Sequence, residues 1–150
     1  MGGYSLDEIL KLIVKWEKGL DSFYDVMEEY LVDERSRKTT LILQERQKKA
    51  VDVLKGINIA DYARTEFIKN VPDIHSGDLI PHFGIDANSP PRKVFETILG
   101  YEEKLEEYYE HLRGVLVYEK SKDLLDMLLK FKVGQIKEIK SLMDNYDLAL

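Results

Sequence analysis

The chain has 150 residues and no cysteine, and its 22 Lys and Arg stand against 28 Asp and Glu, a formal charge of −6. That length suits one domain with a sizeable core, and the absence of cysteine excludes disulfides, thiolate metal sites, iron–sulfur clusters and cysteine nucleophiles. The two signs of charge are interleaved, which argues against nucleic acid or an anionic membrane as partner. With no leader pattern and no apolar run of ~18 residues, the expectation is a soluble, cytoplasmic protein.

The first predicted helix spans about 5–32. Ser5 with Glu8 has the spacing of a capping box, and Leu6, Leu10, Ile13, Glu17, Leu20, Tyr24, Met27 and Leu31 step by fours and threes, the seam of a bundle helix. Glu17 lies in that seam, where a carboxylate is costly unless it is paired, protonated or bound to a cation. A flanking stripe of Ile9, Trp16, Phe23 and Tyr30 gives this helix a second apolar strip. The second helix, about 33–56, is less clearly amphipathic. Its apolar direction falls near Leu43, Ala50 and Leu54 with Gln47 beside them, and Gly56 suits a left-handed cap.

Residues 57–89 read differently. A short helix over Asn58–Phe67 is followed by Pro72, Gly77, Pro81, Gly84 and Pro90–Pro91, breakers in a connection far longer than a hairpin needs. Such length suits a crossover along the bundle. The third helix, about 90–117, takes Ser89 as its N-cap with proline in its first turn. Its seam is Phe95, Ile98, Glu102, Leu105, Tyr109, Leu112 and Leu116, and its flanking stripe is Val94, Tyr101, Tyr108 and Val115. The fourth, about 121–145, carries Leu128, Lys132, Gln135, Ile139 and Leu142 as its seam.

An internal repeat ties these helices together. An offset of 85 lays helix one on helix three, with Trp16 on Tyr101, Glu17 on Glu102, Phe23 on Tyr108 and Tyr24 on Tyr109; an offset of 88 lays helix two on helix four, with Gln47 on Gln135 and Val51 on Ile139. Two similar helix pairs joined by a crossover make an all-α four-helix bundle in which each pair contributes one seam Glu and a polar pair on the next helix: Gln44 with Gln47, and Lys132 with Gln135.

Glu17 before Phe23–Tyr24 and Glu102 before Tyr108–Tyr109 resemble the first- and third-helix motifs of the rubrerythrin-type ferritin-like proteins. The resemblance covers nearly the whole chain and implies a ferritin-like up-down bundle with a long crossover between helices two and three. In the family, Glu-x-x-His motifs on the second and fourth helices complete a site for two iron or manganese ions. Neither motif is present here. In the repeat register both histidines are replaced by Gln47 and Gln135, and the fourth-helix carboxylate by Lys132. A rival register over Gln44–Lys48 keeps Glu45 as a third carboxylate with Lys48 in the place of histidine.

Two readings follow. In the first, Lys132 bridges towards Glu17 and Glu102, Gln47 and Gln135 close the cluster, no cofactor is bound, and the protein is a structural or binding module for a small molecule the sequence does not name. In the second, iron or manganese is held by Glu17, Glu102 and Glu45 for oxygen, peroxide or iron handling. Tyr24 and Tyr109 are core residues near the cluster in the first reading and redox relays in the second. The flanking stripes are expected to lie under the crossover or a second subunit, making a homodimer through helix one or three. His75 and His82, near Asp73, Asp78 and Asp86, offer a second place for a surface metal.

Overall fold

The structure is a computed structural model and describes residues 4–31, 34–57, 67–68 and 91–148. It is an all-α bundle of four helices: α1 (Leu6–Tyr30), α2 (Glu34–Lys55), α3 (Pro91–Val115) and α4 (Glu119–Leu148). The helix ends follow local chemistry. Ser5 Oγ accepts the Glu8 N–H at 3.2 Å, as an N-cap does. Its hydroxyl also lies 3.2 Å from Glu8 Oε1, so the reciprocal half of the cap closes on the hydroxyl. At the other end the Leu31 N–H reaches the Met27 carbonyl at 3.0 Å.

Two end positions differ from expectation. Gly56 continues the chain with its N–H 3.1 Å from the Asp52 carbonyl and does not enter the left-handed region, so its glycine character is not used as a cap there. α4 begins at Glu119, two residues before the expected start, and Ser121 is a buried residue of its first turn. Ser89, residues 58–66, and His75 and His82 with their neighbouring aspartates lie outside the described residues. The end of the expected short helix is extended instead: Phe67–Ile68 (β2) pair antiparallel with Tyr4–Ser5 (β1), Tyr4 opposite Ile68. This pins the connection to the root of α1, and Ile68 joins the core.

Side-chain partners fix the helix directions. Gln47 meets Glu17 and Gln44 meets Asp21, so α2 runs antiparallel to α1. Trp16 packs on Tyr108 and Phe23 on Tyr101, so α3 is antiparallel to α1 and parallel to α2. α4 then runs back beside both α3 and α2.

The predicted seams are inside. Leu6, Ile13, Leu20, Tyr24, Met27, Phe95, Ile98, Leu105, Tyr109 and Leu112 are buried in one continuous core with Leu43, Leu54, Leu128 and Ile139. Leu142 is only partly buried, while Leu124, Leu125, Ile136 and Met143 widen the inward face of α4. The flanking stripes of α1 and α3 meet each other. Trp16 and Tyr108 meet edge to face with centroids 4.6 Å apart, and Phe23 and Tyr101 do so at 6.1 Å. The repeat relates these pairs to one another, since Trp16 matches Tyr101 and Phe23 matches Tyr108. The α1/α3 seam is thus closed by two pseudo-symmetric aromatic pairs, a geometry worth about 0.5–1.5 kcal/mol per pair beyond burial. Among the described residues no helix is long and apolar enough to cross a membrane.

Candidate functional site

Seam spacing brings ionisable or amide side chains from all four helices to the bundle centre. Glu17 and Tyr24 come from α1, Gln47 from α2, Glu102 and Tyr109 from α3, and Lys132 and Gln135 from α4, all buried. Lys132 is the hub. Its Nζ donates to Glu17 Oε1 at 2.6 Å and lies 3.2 and 3.3 Å from the two oxygens of Glu102. Glu17 is the better satisfied carboxylate. It also accepts from Gln47 Nε2 at 2.8 Å and from the Tyr109 hydroxyl at 2.7 Å. Gln47 Nε2 reaches the Glu17 carbonyl as well, at 2.9 Å, which fixes α2 against α1 at this level.

The second half of the repeat is bonded less well. Gln135 Nε2 is 3.4 Å from both the Tyr24 hydroxyl and the Leu43 carbonyl, and Glu102 takes hydrogen bonds from Lys132 alone among the described residues. The carbonyl oxygens of Gln47 and Gln135 accept none there.

The electrostatics follow from that asymmetry. Burial, reinforced by the neighbouring Glu17 charge, pushes the Glu102 carboxyl from its ordinary 4.5 up to about 7, although Lys132 pulls it down. Burial also disfavours the Lys132 ammonium, but Glu102 and Glu17 outweigh it and hold the ammonium above its ordinary value, so Lys132 is a cation here. Tyr24 and Tyr109 are raised well above the usual phenol range, in each case first by burial and next by a carboxylate: Glu102 for Tyr24, Glu17 for Tyr109. Both phenols keep their protons, and Tyr109 acts as a hydrogen-bond donor.

The expected site residues divide into those the fold assembles and those it does not. Glu17, Gln47, Glu102, Lys132, Gln135, Tyr24 and Tyr109 come together. Gln44 is buried but turns away, donating to the Asp21 carbonyl at 3.3 Å and to the Asp25 carboxylate. Glu45 and Lys48 are exposed, so the rival register is not adopted and Glu45 stays outside the centre. His111 is exposed. Three participants were not anticipated. Asp21 and Asp25 hold Gln44, and the Phe131 ring has the Lys132 ammonium 5.5 Å from its centroid. The first two sit four and eight residues after Glu17, on the α1 edge nearest α2. Phe131 precedes Lys132 and carries no periodic signal of a cation partner.

The donor set at the centre is two carboxylates, one ammonium, two amides and two phenols. Among the described residues no group of three or more His, Asp or Glu is placed to hold a metal ion.

No family model matches the sequence, and no curated protein matches it. The fold is nonetheless shared. A Thermotoga maritima protein, provisionally described as a ferritin-like diiron-carboxylate protein, superposes with a TM-score of 0.65 over 96% of this chain and 97% of its own, at 13% sequence identity. At that identity the likeness speaks for architecture alone: the chain folds as a ferritin-like four-helix bundle.

Proposed function

We propose that this protein is a metal-independent member of the ferritin-like bundles, in which a Glu17–Lys132–Glu102 cluster occupies the place of a dinuclear centre, and that it works as a structural or binding module rather than as an iron or manganese oxidoreductase. The observation that carries the reading is the position of Lys132 Nζ, 2.6 Å from Glu17 Oε1 and 3.2 Å from Glu102 Oε1. An ammonium there occupies the space between the two facing carboxylates, repels any cation that approaches and neutralises one of the charges a metal would need. The amides of Gln47 and Gln135 are weak ligands beside imidazole, and divalent transition metals favour imidazole and carboxylate donors. This donor set does not fit a pair of divalent cations.

Metal analysis tests the reading. Protein prepared with added iron or manganese and then desalted is expected to retain far less than one equivalent per chain. Retention of about two equivalents, with oxygen or peroxide turnover, would sink it in favour of an altered oxidoreductase. The converse test is gain of function: Lys132→Glu combined with Gln135→His is expected to raise metal affinity, because it replaces the central cation by a carboxylate and adds an imidazole. If that double variant binds no better than the parent, the placement of Lys132 and Gln135 at a former metal position is wrong.

A further inference from the structure

The two long seams of the bundle are finished differently. Between α1 and α3 the aromatic pairs fill the space, whereas between α2 and α4 an open groove of about 350 Å³ remains. Its walls are Ala50, Val53 and Leu54 on α2 and Met127, Leu128 and Phe131 on α4. Val53 and Met127 are 57% and 39% exposed, so apolar surface faces solvent there. The helices touch elsewhere along the seam, where Gln135 reaches the Leu43 carbonyl, and Ala50 leaves space that a larger residue would fill.

The charged residues that line the groove are both basic. Arg46 and Lys49 complete its lining. Among the described residues Arg46 makes a long, half-exposed ion pair with Glu138, 3.6 Å apart, and its charge also reaches Glu102 and Tyr24, while Lys49 has no partner there. The surrounding helix agrees: α2 holds seven Lys and Arg against three Asp and Glu in a chain of net charge −6. Volumes of ~300 Å³ and above, mostly apolar with a few placed polar groups, are those of small-molecule sites.

We propose that the α2/α4 groove binds a single-chain amphiphilic anion, with its carboxylate at Arg46 and Lys49 and its apolar tail along Ala50, Val53, Met127 and Phe131. The tail supplies on this face the apolar filling that Trp16, Tyr108, Phe23 and Tyr101 supply on the opposite one. Of the two cations Lys49 is exposed and Arg46 half-buried. Phe131 forms one wall of the groove and also lies beside the Lys132 ammonium, so an occupant rests against the central cluster without entering it. The site does not depend on whether the bundle centre holds metal.

Calorimetric titration of the full chain with decanoate, below its micelle concentration, tests the proposal against decanol and decyltrimethylammonium. Decanoate is expected to bind saturably at one site per chain, and the cationic analogue about tenfold more weakly or worse, the equivalent of one charge-assisted hydrogen bond. Arg46→Gln with Lys49→Gln is expected to weaken decanoate by a similar factor while leaving decanol unchanged. Ala50→Trp, which fills the groove, and Met127→Glu, which places a carboxylate on its exposed rim, are each expected to abolish binding, with native helicity by circular dichroism as the folding control. Absence of saturable decanoate binding, equal binding of the cationic analogue, or undiminished binding by a folded Met127→Glu variant would overturn it. Metal content plays no part in these readouts, so failure here is distinct from failure of the metal-free reading.

Discussion

Lys132→Met is the most direct perturbation of the bundle centre. The side chain is fully buried and serves two carboxylates that are themselves at most 1% exposed. Methionine keeps most of the volume but leaves Glu17 and Glu102 facing each other without a cation. Removing one partner of a buried ion pair typically costs about 3–5 kcal/mol, and two stranded carboxylates place this case at the upper part of that range. The loss depends on pH in a definite direction. Without the ammonium the Glu102 carboxyl, already raised, rises further, so at about pH 5 the variant takes up a proton there and relieves the repulsion, whereas at about pH 8 it cannot do so without penalty. Urea unfolding followed by far-UV circular dichroism at both pH values measures this. The expected result is a large loss at the higher pH that shrinks substantially at the lower. A loss below about 1 kcal/mol at about pH 8, or one equal at both pH values, would mean that Lys132 does not hold these carboxylates together. A triple variant, Lys132→Met with Glu17→Gln and Glu102→Gln, should recover much of the loss, because replacing a whole buried ionic group is far cheaper than breaking it.

Glu102 should impose its own pH dependence on the parent protein. A carboxyl raised from 4.5 to about 7 on folding binds its proton more tightly in the native state. Its contribution is therefore fully present below about pH 4.5 and is lost as pH rises through about 7, amounting to about 3 kcal/mol. Urea midpoints across that window should fall with rising pH for the parent and flatten for Glu102→Gln; a parallel slope in the variant would assign the effect elsewhere. The two central amides should differ in worth. Gln47→Leu removes two close hydrogen bonds to Glu17 and should cost about 1–3 kcal/mol in thermal or urea unfolding, whereas Gln135→Leu removes only 3.4 Å contacts and should cost less. Across the α1/α3 seam, a double-mutant cycle of Trp16→Phe and Tyr108→Leu should return a coupling of about 0.5–1.5 kcal/mol, and a coupling near zero would contradict the edge-to-face pair.

The bundle was legible because its seams carry a strong helical period and because the repeat aligns both stripes and the seam Glu at one offset. The cluster was legible for the same reason: Glu17, Glu102, Lys132 and Gln135 occupy positions where a hydrophobe is otherwise due. What periodicity does not contain is the identity of the neighbour. It marked Trp16, Phe23, Tyr101 and Tyr108 as apolar strips, but an apolar strip is satisfied equally by a crossover, a second subunit or another helix, and only the antiparallel placement of α1 and α3 makes the strips cover each other. Gln44 shows the limit on the polar side. It lies three residues before Gln47, about 60° away around the helix, which is enough to turn it from the centre to Asp21 and Asp25 at the α1 edge. The groove between α2 and α4 was invisible for a related reason, since an alanine and a few half-exposed apolar residues on two distant helices leave no local pattern.

The broken symmetry of the centre follows from charge balance. The repeat matches Glu17 with Glu102 but Gln44 with Lys132, so two carboxylates share one lysine. If both were ionised, the buried group would carry a net negative charge with no counterion, a state the low-dielectric interior penalises. The bundle resolves this by making the halves unequal. Gln47, Tyr109 and Lys132 all donate to Glu17, while Glu102 has Lys132 alone among the described residues and has its carboxyl pushed up to about 7. A proton on Glu102, taken up as pH falls through about 7, removes one of the two carboxylate charges beside the Lys132 ammonium. A second lysine at position 44 is not required for neutrality, because a proton on Glu102 performs that role. The Gln44 side chain is left to brace α2 against α1 through Asp21 and Asp25, and the single ammonium is enough to hold the two halves of the repeat together.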